Sequence, residues 1–225
     1  MVQGYVLLIG TCILAIGVVL CNMKNILKNP YKLLRSICFG LFTFSLLRYF
    51  TLIVYGDSPS YEQLVHLRIF YFATSIGLTM TTASAIWYVT PFYRERWHYG
   101  KYLAFFIPWI LFYLWLIVKQ PTRIIQGKYY GYILQLLPPY EAWLASVQSI
   151  FVGVAILLCV LGMLRHKHIE IRVKLFILIL AQLILLLDGL TYYLPLLHTF
   201  APFTVSEVLG FLAVLYGFSG FSEKI

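Results

Sequence analysis

The chain is poor in charged residues, in acidic residues above all, and in cysteine. Only 11% of its 225 residues are charged, and 8 Asp and Glu stand against 17 Lys and Arg. Soluble domains carry about 25% charged residues, so this composition argues against a water-soluble domain. The 4 cysteines form no C-x-x-C pair. They lie in or beside apolar segments, where small packing residues are expected and disulfides are not.

The sequence also has no motif that would indicate an enzyme. It has no nucleotide-binding glycine motif, and no pair of aspartates lies within an apolar segment, as intramembrane proteolysis would need. His166 and His168 are two residues apart, so a helix would point them to different faces, and zinc ligation there is not expected. The last apolar segment contains no lysine for a retinal. We therefore expect no catalytic residues, no metal site and no cofactor.

Seven apolar stretches fill most of the chain. About 20 helical residues cover the ~30 Å hydrocarbon core of a bilayer. Two stretches, the fourth and the seventh, are slightly shorter than this. The stretches comprise residues 2–20, 37–55, 69–90, 102–118, 142–163, 175–194 and 205–221. Seven such segments leave no polar faces to cover a soluble core. The sequence predicts an all-α polytopic membrane protein with seven transmembrane helices.

Basic residues are distributed unevenly between the gaps. Residues 21–36, 92–101, 164–174 and the C-terminus hold twelve Lys and Arg, whereas 56–68, 119–141 and 195–204 hold four. Positive residues concentrate on the cytoplasmic side of membrane proteins. The bias predicts an N-terminus outside and a C-terminus in the cytoplasm, in a multi-pass protein of the bacterial inner membrane. The first stretch has no basic residues before it, so it is not expected to be a cleaved signal peptide.

The net charge of +9 has a simple explanation in this topology. The basic residues lie in short loops beside apolar segments, without the aromatic-basic motifs of nucleic-acid binding, which is not expected. They suit contact with anionic lipid at the cytoplasmic face of the lipid bilayer, where each is worth roughly 1 kcal/mol.

The gaps are too short for a second domain, so residues 1–225 are expected to form one unit. The longest gap, 119–141, has two β-favouring runs on either side of Gly127 and Lys128. It fits a hairpin over the outer mouth of the bundle. An irregular interfacial loop with tyrosines at headgroup level fits equally well.

The third apolar stretch has small residues at every fourth position. Ala73, Gly77, Thr81 and Ala85 would share one face, which permits close approach of neighbouring membrane helices. The other hydroxyl residues of this stretch can bond to carbonyls of their own helix, so they do not require a ligand. We expect a central, buried helix.

Three ionisable residues lie inside apolar stretches, in what would be the outer half of the membrane. They are Arg48, Asp188 and Glu207. An ionisable side chain within the membrane costs several kcal/mol of free energy unless it faces the bundle interior and is paired with another group. We expect an outward-facing polar pocket that binds a ligand. Its further candidate residues are Arg68, Gln182, Tyr192 and Tyr193. The alternative is an internal Arg48–Asp188 ion pair without a ligand, with Glu207 solvated near the interface.

Several features of the chain resemble a known group. They are the Thr-rich third stretch running into Trp87-Tyr88, the basic turn from Tyr93 to Trp97, the long fourth gap, and a sixth stretch that ends before Pro195. In these features and in size the chain resembles the seven-helix N-terminal sensor region of some bacterial histidine kinases and diguanylate cyclases. That resemblance implies an outside N-terminus and a seventh helix leading to a cytoplasmic output domain.

The output domain of that group is absent from this sequence, which ends four residues after the last stretch. The chain is therefore expected to act as a stand-alone sensor or as part of something larger. We expect a receptor-like sensor that binds a small or peptide ligand from outside and signals through a cytoplasmic or membrane partner. A transporter or transporter subunit is the alternative, and a structural subunit of a membrane complex is a third.

Overall fold

The computed structural model describes residues 2–56, 60–126, 132–191 and 204–219. Apart from one hairpin, every element in these ranges is a helix, so the predicted all-α class is confirmed. The helices are α1 (Val2–Ile26), α2 (Lys32–Val54), α3 (Tyr61–Val89), α4 (Pro91–Arg96), α5 (Tyr99–Ala104), α6 (Ile107–Lys119), α7 (Tyr140–Arg165), α8 (Ile169–Thr191) and α9 (Thr204–Phe218). The strands are β1 (Thr122–Gln126) and β2 (Tyr132–Leu136).

Four of these helices, α1, α2, α3 and α7, are long and apolar enough to cross a membrane. The remaining predicted spans are more polar or shorter. Helix α8 has 23 residues, but four of them are ionisable. Helices α6 and α9 are apolar but have only 13 and 15 residues within the described part of the chain.

The long helices run in alternating directions, which gives the bundle two distinct ends. Near the start of α1, the hydroxyl of Tyr5 donates to the carbonyl of Ile53, near the end of α2. At the opposite end, Lys174 near the start of α8 donates to the carbonyl of Ser219, just after α9. We call the end where α1, α3, α7 and α9 begin the hairpin end, and the opposite one the basic end.

Helix α3 is the centre of the bundle. It packs against α2, α6, α7, α8 and α9, and most of its apolar segment is buried. Its hydroxyls bond within the helix, as expected. Thr81, for example, donates to the carbonyl of Gly77 at 2.7 Å. Of the predicted stripe, Gly77, Thr81 and Ala85 are buried and Ala73 is half-buried. A Cβ at Gly77 would lie 3.2 Å from the carbonyl oxygen of Leu41, so α2 and α3 do approach closely there.

The predicted span 102–118 is not one continuous helix. Helix α5 ends at Ala104 and α6 begins at Ile107, with a turn at Phe105 and Phe106 between them. Pro108 lies in the first turn of α6, where its missing N–H leaves no hydrogen bond unmade. The break therefore divides the fourth apolar stretch into a short helix at the basic end and a thirteen-residue helix.

The gap 119–141 does form a hairpin. Strands β1 and β2 pair antiparallel, with Thr122 opposite Leu136 and Gln126 opposite Tyr132. The predicted turn at Gly127 and Lys128 lies outside the described residues. In its described residues, the gap therefore consists of two paired strands and not of an irregular loop.

Candidate functional site

The candidate site is centred on a buried ion pair between two helices. Arg48, in the last two turns of α2, is 3% exposed, and Glu207, in the first turn of α9, is 4% exposed. Their atoms Nη1 and Oε1 are 2.5 Å apart. The hydroxyl of Tyr49 donates to the other carboxylate oxygen, Oε2, at 2.9 Å. Both oxygens of this carboxylate therefore accept a hydrogen bond from α2.

This pairing contradicts the alternative of an Arg48–Asp188 ion pair with Glu207 solvated near the interface. The partner of Arg48 is Glu207 and not Asp188, and Glu207 is buried instead of solvated. Asp188 accepts a hydrogen bond from Ser206. Successive helical residues point about 100° apart, so the first turn of α9 presents Ser206 to α8 and Glu207 to α2. Arg48 and Glu207 are thus in direct contact, whereas Asp188 contacts Ser206, the residue before Glu207 in α9.

The surroundings of the pair favour both charges. Glu207 lies at the N-terminus of α9, where the helix dipole stabilises a negative charge. The guanidinium of Arg48 lies 4.6 Å from the ring centre of Tyr71 and 5.6 Å from that of Tyr49. Such stacking on aromatic faces stabilises a desolvated cation.

A small polar cavity lies beside the pair, between α3, α6, α7, α8 and α9. Its volume is about 40 Å³. Its wall includes Glu207, Tyr71, Tyr113, Gln148 and Gln182. A cavity needs ≳ 10–15 Å³ to hold one water molecule, so this space suits a few waters or the tip of a polar group.

Two further residues that the sequence predicted for the site, Gln182 and Arg68, lie in the described part of the chain. Gln182 lines the cavity and donates from Nε2 to Oγ1 of Thr82 at 3.2 Å. Arg68 is buried and donates to the hydroxyl of Thr122, which ties the hairpin to α3. The Nε atom of Arg68 is buried without a hydrogen-bond partner in the described part of the molecule. The predicted residues Tyr192 and Tyr193 lie outside the described residues.

Toward the basic end, the interior between α3, α8 and α9 is apolar and closely packed. A Cβ at Gly217 would lie 3.3 Å from Ala85 and 3.9 Å from the side chain of Leu178. The rings of Tyr88 and Phe218 are 5.5 Å apart. The polar side chains that line the cavity therefore end about halfway along the bundle, and the contacts between α3, α8 and α9 around Gly217 are apolar.

The basic end has contacts that the sequence did not indicate. The ammonium of Lys174 is buried and lies 2.5 Å from the carbonyl oxygen of Ser219 and 3.0 Å from Glu170. The hydroxyl of Tyr93 donates to the carbonyl of Leu158 at 2.8 Å. Burial raises the pKa of Tyr93 to about 12, so this donor stays protonated at neutral pH. The i,i+4 spacing of Glu170 and Lys174 was the available signal in the sequence.

No group of three His, Cys, Asp or Glu side chains comes together among the described residues, so this part of the chain offers no set of metal ligands. What the site offers chemically is a pair of opposite charges, two amides and two phenols next to a water-sized space. Comparison with protein-family models, with curated proteins and with solved structures found no match to this chain, so its function is inferred from the site itself.

Proposed function

We propose that this protein is a receptor-like sensor of the bacterial inner membrane. In this proposal, all seven apolar segments cross the bilayer, with the N-terminus outside and the C-terminus in the cytoplasm. A ligand enters from the outer, hairpin end, and the signal passes to a cytoplasmic or membrane partner at the basic end. The observation that carries the proposal is the buried Arg48–Glu207 pair beside a small cavity with polar side chains at the hairpin end.

The pair links a ligand site to the last helix. Glu207 belongs to α9, which packs against α1, α3 and α8 and runs to the basic end. A ligand with a carboxylate or an amine would compete for one partner of the pair and so change the contact between α2 and α9. Signalling requires that the ligand bind two arrangements of α9 with different affinity. The cavity of about 40 Å³ favours a small ligand over a peptide.

The alternative of a transporter predicts a polar path that can open to both ends. The close packing around Gly217 favours the sensor, because the apolar side chains of Ala85 and Leu178 close the space between α3, α8 and α9 there. A structural subunit, the third alternative, would need the pair only for its stability. Experiment can separate these alternatives.

The test compares Arg48→Met, Glu207→Leu and the double variant. Removing one partner leaves a buried charge unpaired, so each single variant should lose about 3–5 kcal/mol of stability, whereas the double variant should lose much less. Thermal unfolding in detergent measures this difference. Asp188→Asn is a useful control, because it removes a neighbouring charge that does not pair with Arg48 in the structure.

The same variants test transmission to the basic end. Spin labels on cysteines at Leu164 and Tyr216, both exposed, would report the distance between the ends of α7 and α9. In a sensor, the folded double variant should show a shifted distance distribution relative to the wild type. An unchanged distribution in a stable double variant would mean that the charges are structural. Labels that show the cavity opening to both ends would favour the transporter.

A further inference from the structure

A second, larger cavity lies at the basic end, away from the charged pair. It is a groove of about 520 Å³ between the α4–α5 corner and the end of α7. Its lining includes Phe92, Tyr93, Arg96, Phe105, Leu158 and Arg165. This volume is within the ~300–1,000 Å³ range of small-molecule sites.

One side of the groove is apolar and exposed. Trp97, Phe105 and Leu161 are 45%, 54% and 49% exposed, although each is a large hydrophobic side chain. Phe105 lies at the break between α5 and α6, and Leu161 lies in the last turns of α7. The break therefore creates a lateral opening whose wall suits hydrocarbon and not water.

Two arginines meet at the same groove. The Cζ atoms of Arg96 and Arg165 lie 5.8 Å and 4.9 Å from the ring centre of Phe92. Because both distances are measured to the same ring, the two Cζ atoms lie at most about 10.7 Å apart. Neither has a carboxylate within ion-pair distance in the described parts of the chain. Their N–H groups remain available, and a guanidinium matches the geometry of a phosphate.

We infer that this groove binds one anionic phospholipid, with the phosphate between Arg96 and Arg165 and an acyl chain against Phe105 and Leu161. A soluble phosphate would use only the arginines and would leave the apolar wall exposed to water. A lipid would contact the arginines with its phosphate and the apolar wall with its acyl chain. Basic pockets between membrane helices are known to bind anionic headgroups. The sequence predicted only that the basic loops contact anionic lipid in general, whereas this inference places one lipid molecule in a particular groove.

The test measures binding of phosphatidylglycerol and phosphatidylcholine with identical chains to the purified protein by native mass spectrometry. We expect the wild type to prefer phosphatidylglycerol. In Arg96→Gln/Arg165→Gln this binding should weaken about thirtyfold, since the variant removes two surface cations of roughly 1 kcal/mol each and about 1.4 kcal/mol corresponds to a factor of ten. The control is Lys167→Gln/Arg172→Gln, which removes the same charge from exposed positions at the same end. Equal losses in both double variants would overturn the assignment.

Two further measurements keep the inference falsifiable even if the arginine variant does not fold. Brominated phosphatidylglycerol should quench tryptophan fluorescence of the wild type, and Trp97→Phe should lose most of that quenching. Undiminished quenching in Trp97→Phe would contradict the site. Glycerol phosphate in solution should not displace the lipid at millimolar concentration, and displacement would assign the arginines to a soluble anion instead.

Discussion

Lys174 shows how one residue holds the end of a helix. Its ammonium is buried and lies against the carbonyl of Ser219, directly after α9. The last carbonyls of a helix have no partner within the helix, and a cation there also interacts favourably with the helix dipole. Helix α9 is thus held by charge at both ends, through Glu207 to α2 and through Lys174 to α8.

We expect Lys174→Met to destabilise the protein by about 1–3 kcal/mol, because the carbonyl of the half-buried Ser219 loses its charged donor. Arg172→Met is the matched control, since Arg172 is exposed on the same turn of α8. Its effect should be within about 0.5 kcal/mol. Thermal unfolding of both variants in the same detergent measures the difference. Equal melting temperatures would show that the Lys174 contact adds nothing to stability.

At the level of single residues, the sequence located the ionisable side chains within the apolar segments but did not determine how they pair. Arg48, Asp188 and Glu207 were recognised because ionisable residues are rare within apolar segments. Their pairing depends on the rotation of α9 about its axis, which places Ser206 toward Asp188 and Glu207 toward Arg48. A rotation of α9 by one residue, about 100°, would separate Glu207 from Arg48, and the amino-acid pattern alone does not determine this rotation.

Helix α3 depends on close approach to its neighbour α2. At Gly77 a Cβ atom would lie 3.0 Å from the hydroxyl of Ser45 and 3.2 Å from the carbonyl oxygen of Leu41. A backbone oxygen cannot rotate away as a side chain can. The small-residue spacing predicted this contact, because only a helix face without large side chains permits it.

Gly77→Ala should therefore destabilise the protein by about 1–3 kcal/mol through overpacking, and Gly77→Leu should do so more strongly. Gly40→Ala is the control, because a Cβ at Gly40 would meet nothing within 4 Å. It should be neutral or stabilising by up to about 1 kcal/mol, through helix propensity. Ile76→Leu, a change of shape at constant volume, should cost less than about 1.5 kcal/mol. Similar unfolding temperatures for Gly77→Ala and Gly40→Ala would contradict close approach at Gly77.

The sequence predicted the helices better than their ends and breaks. Apolar segments located each long helix, but α3 begins at Tyr61, well before the predicted start at residue 69. Its first turns are polar, and the capping box of Ser60 and Gln63 fixes the start instead. The break at Phe105 and Phe106 lies in a run without glycine, and only Pro108 signalled it.

For the whole molecule, charge is segregated between the two ends. Among the described residues, the basic end carries eleven Lys and Arg, and the hairpin end carries Arg68, Lys119 and Arg123. The folded chain brings basic residues from separate gaps together at one end. This arrangement supports the proposed orientation, because basic loops are retained on the cytoplasmic side.

Labelling of single cysteines on intact cells tests that orientation. In a variant without Cys12, Cys21, Cys38 and Cys159, a cysteine at Lys128 should react with a membrane-impermeant reagent. Cysteines at Lys28, Arg96 and Lys167 should react only after permeabilisation. Cysteines at Asp57 and His198 should also react on intact cells, because these positions are predicted to lie outside as well. Reaction at Lys128 only in permeabilised cells would reverse the proposed topology.

The interruption between α5 and α6 has a consequence for the surrounding lipid. Helix α6 has 13 residues, so at 1.5 Å per residue it provides about 20 Å of regular helix against a ~30 Å hydrocarbon core. Its exposed face carries Leu111, Leu114 and Val118. Such hydrophobic mismatch is relieved by local thinning of the bilayer, at a cost of fractions of a kcal/mol per Å. In the proposed topology, the bilayer should consequently be thinner beside α6 than beside the long helices α1, α3 and α7.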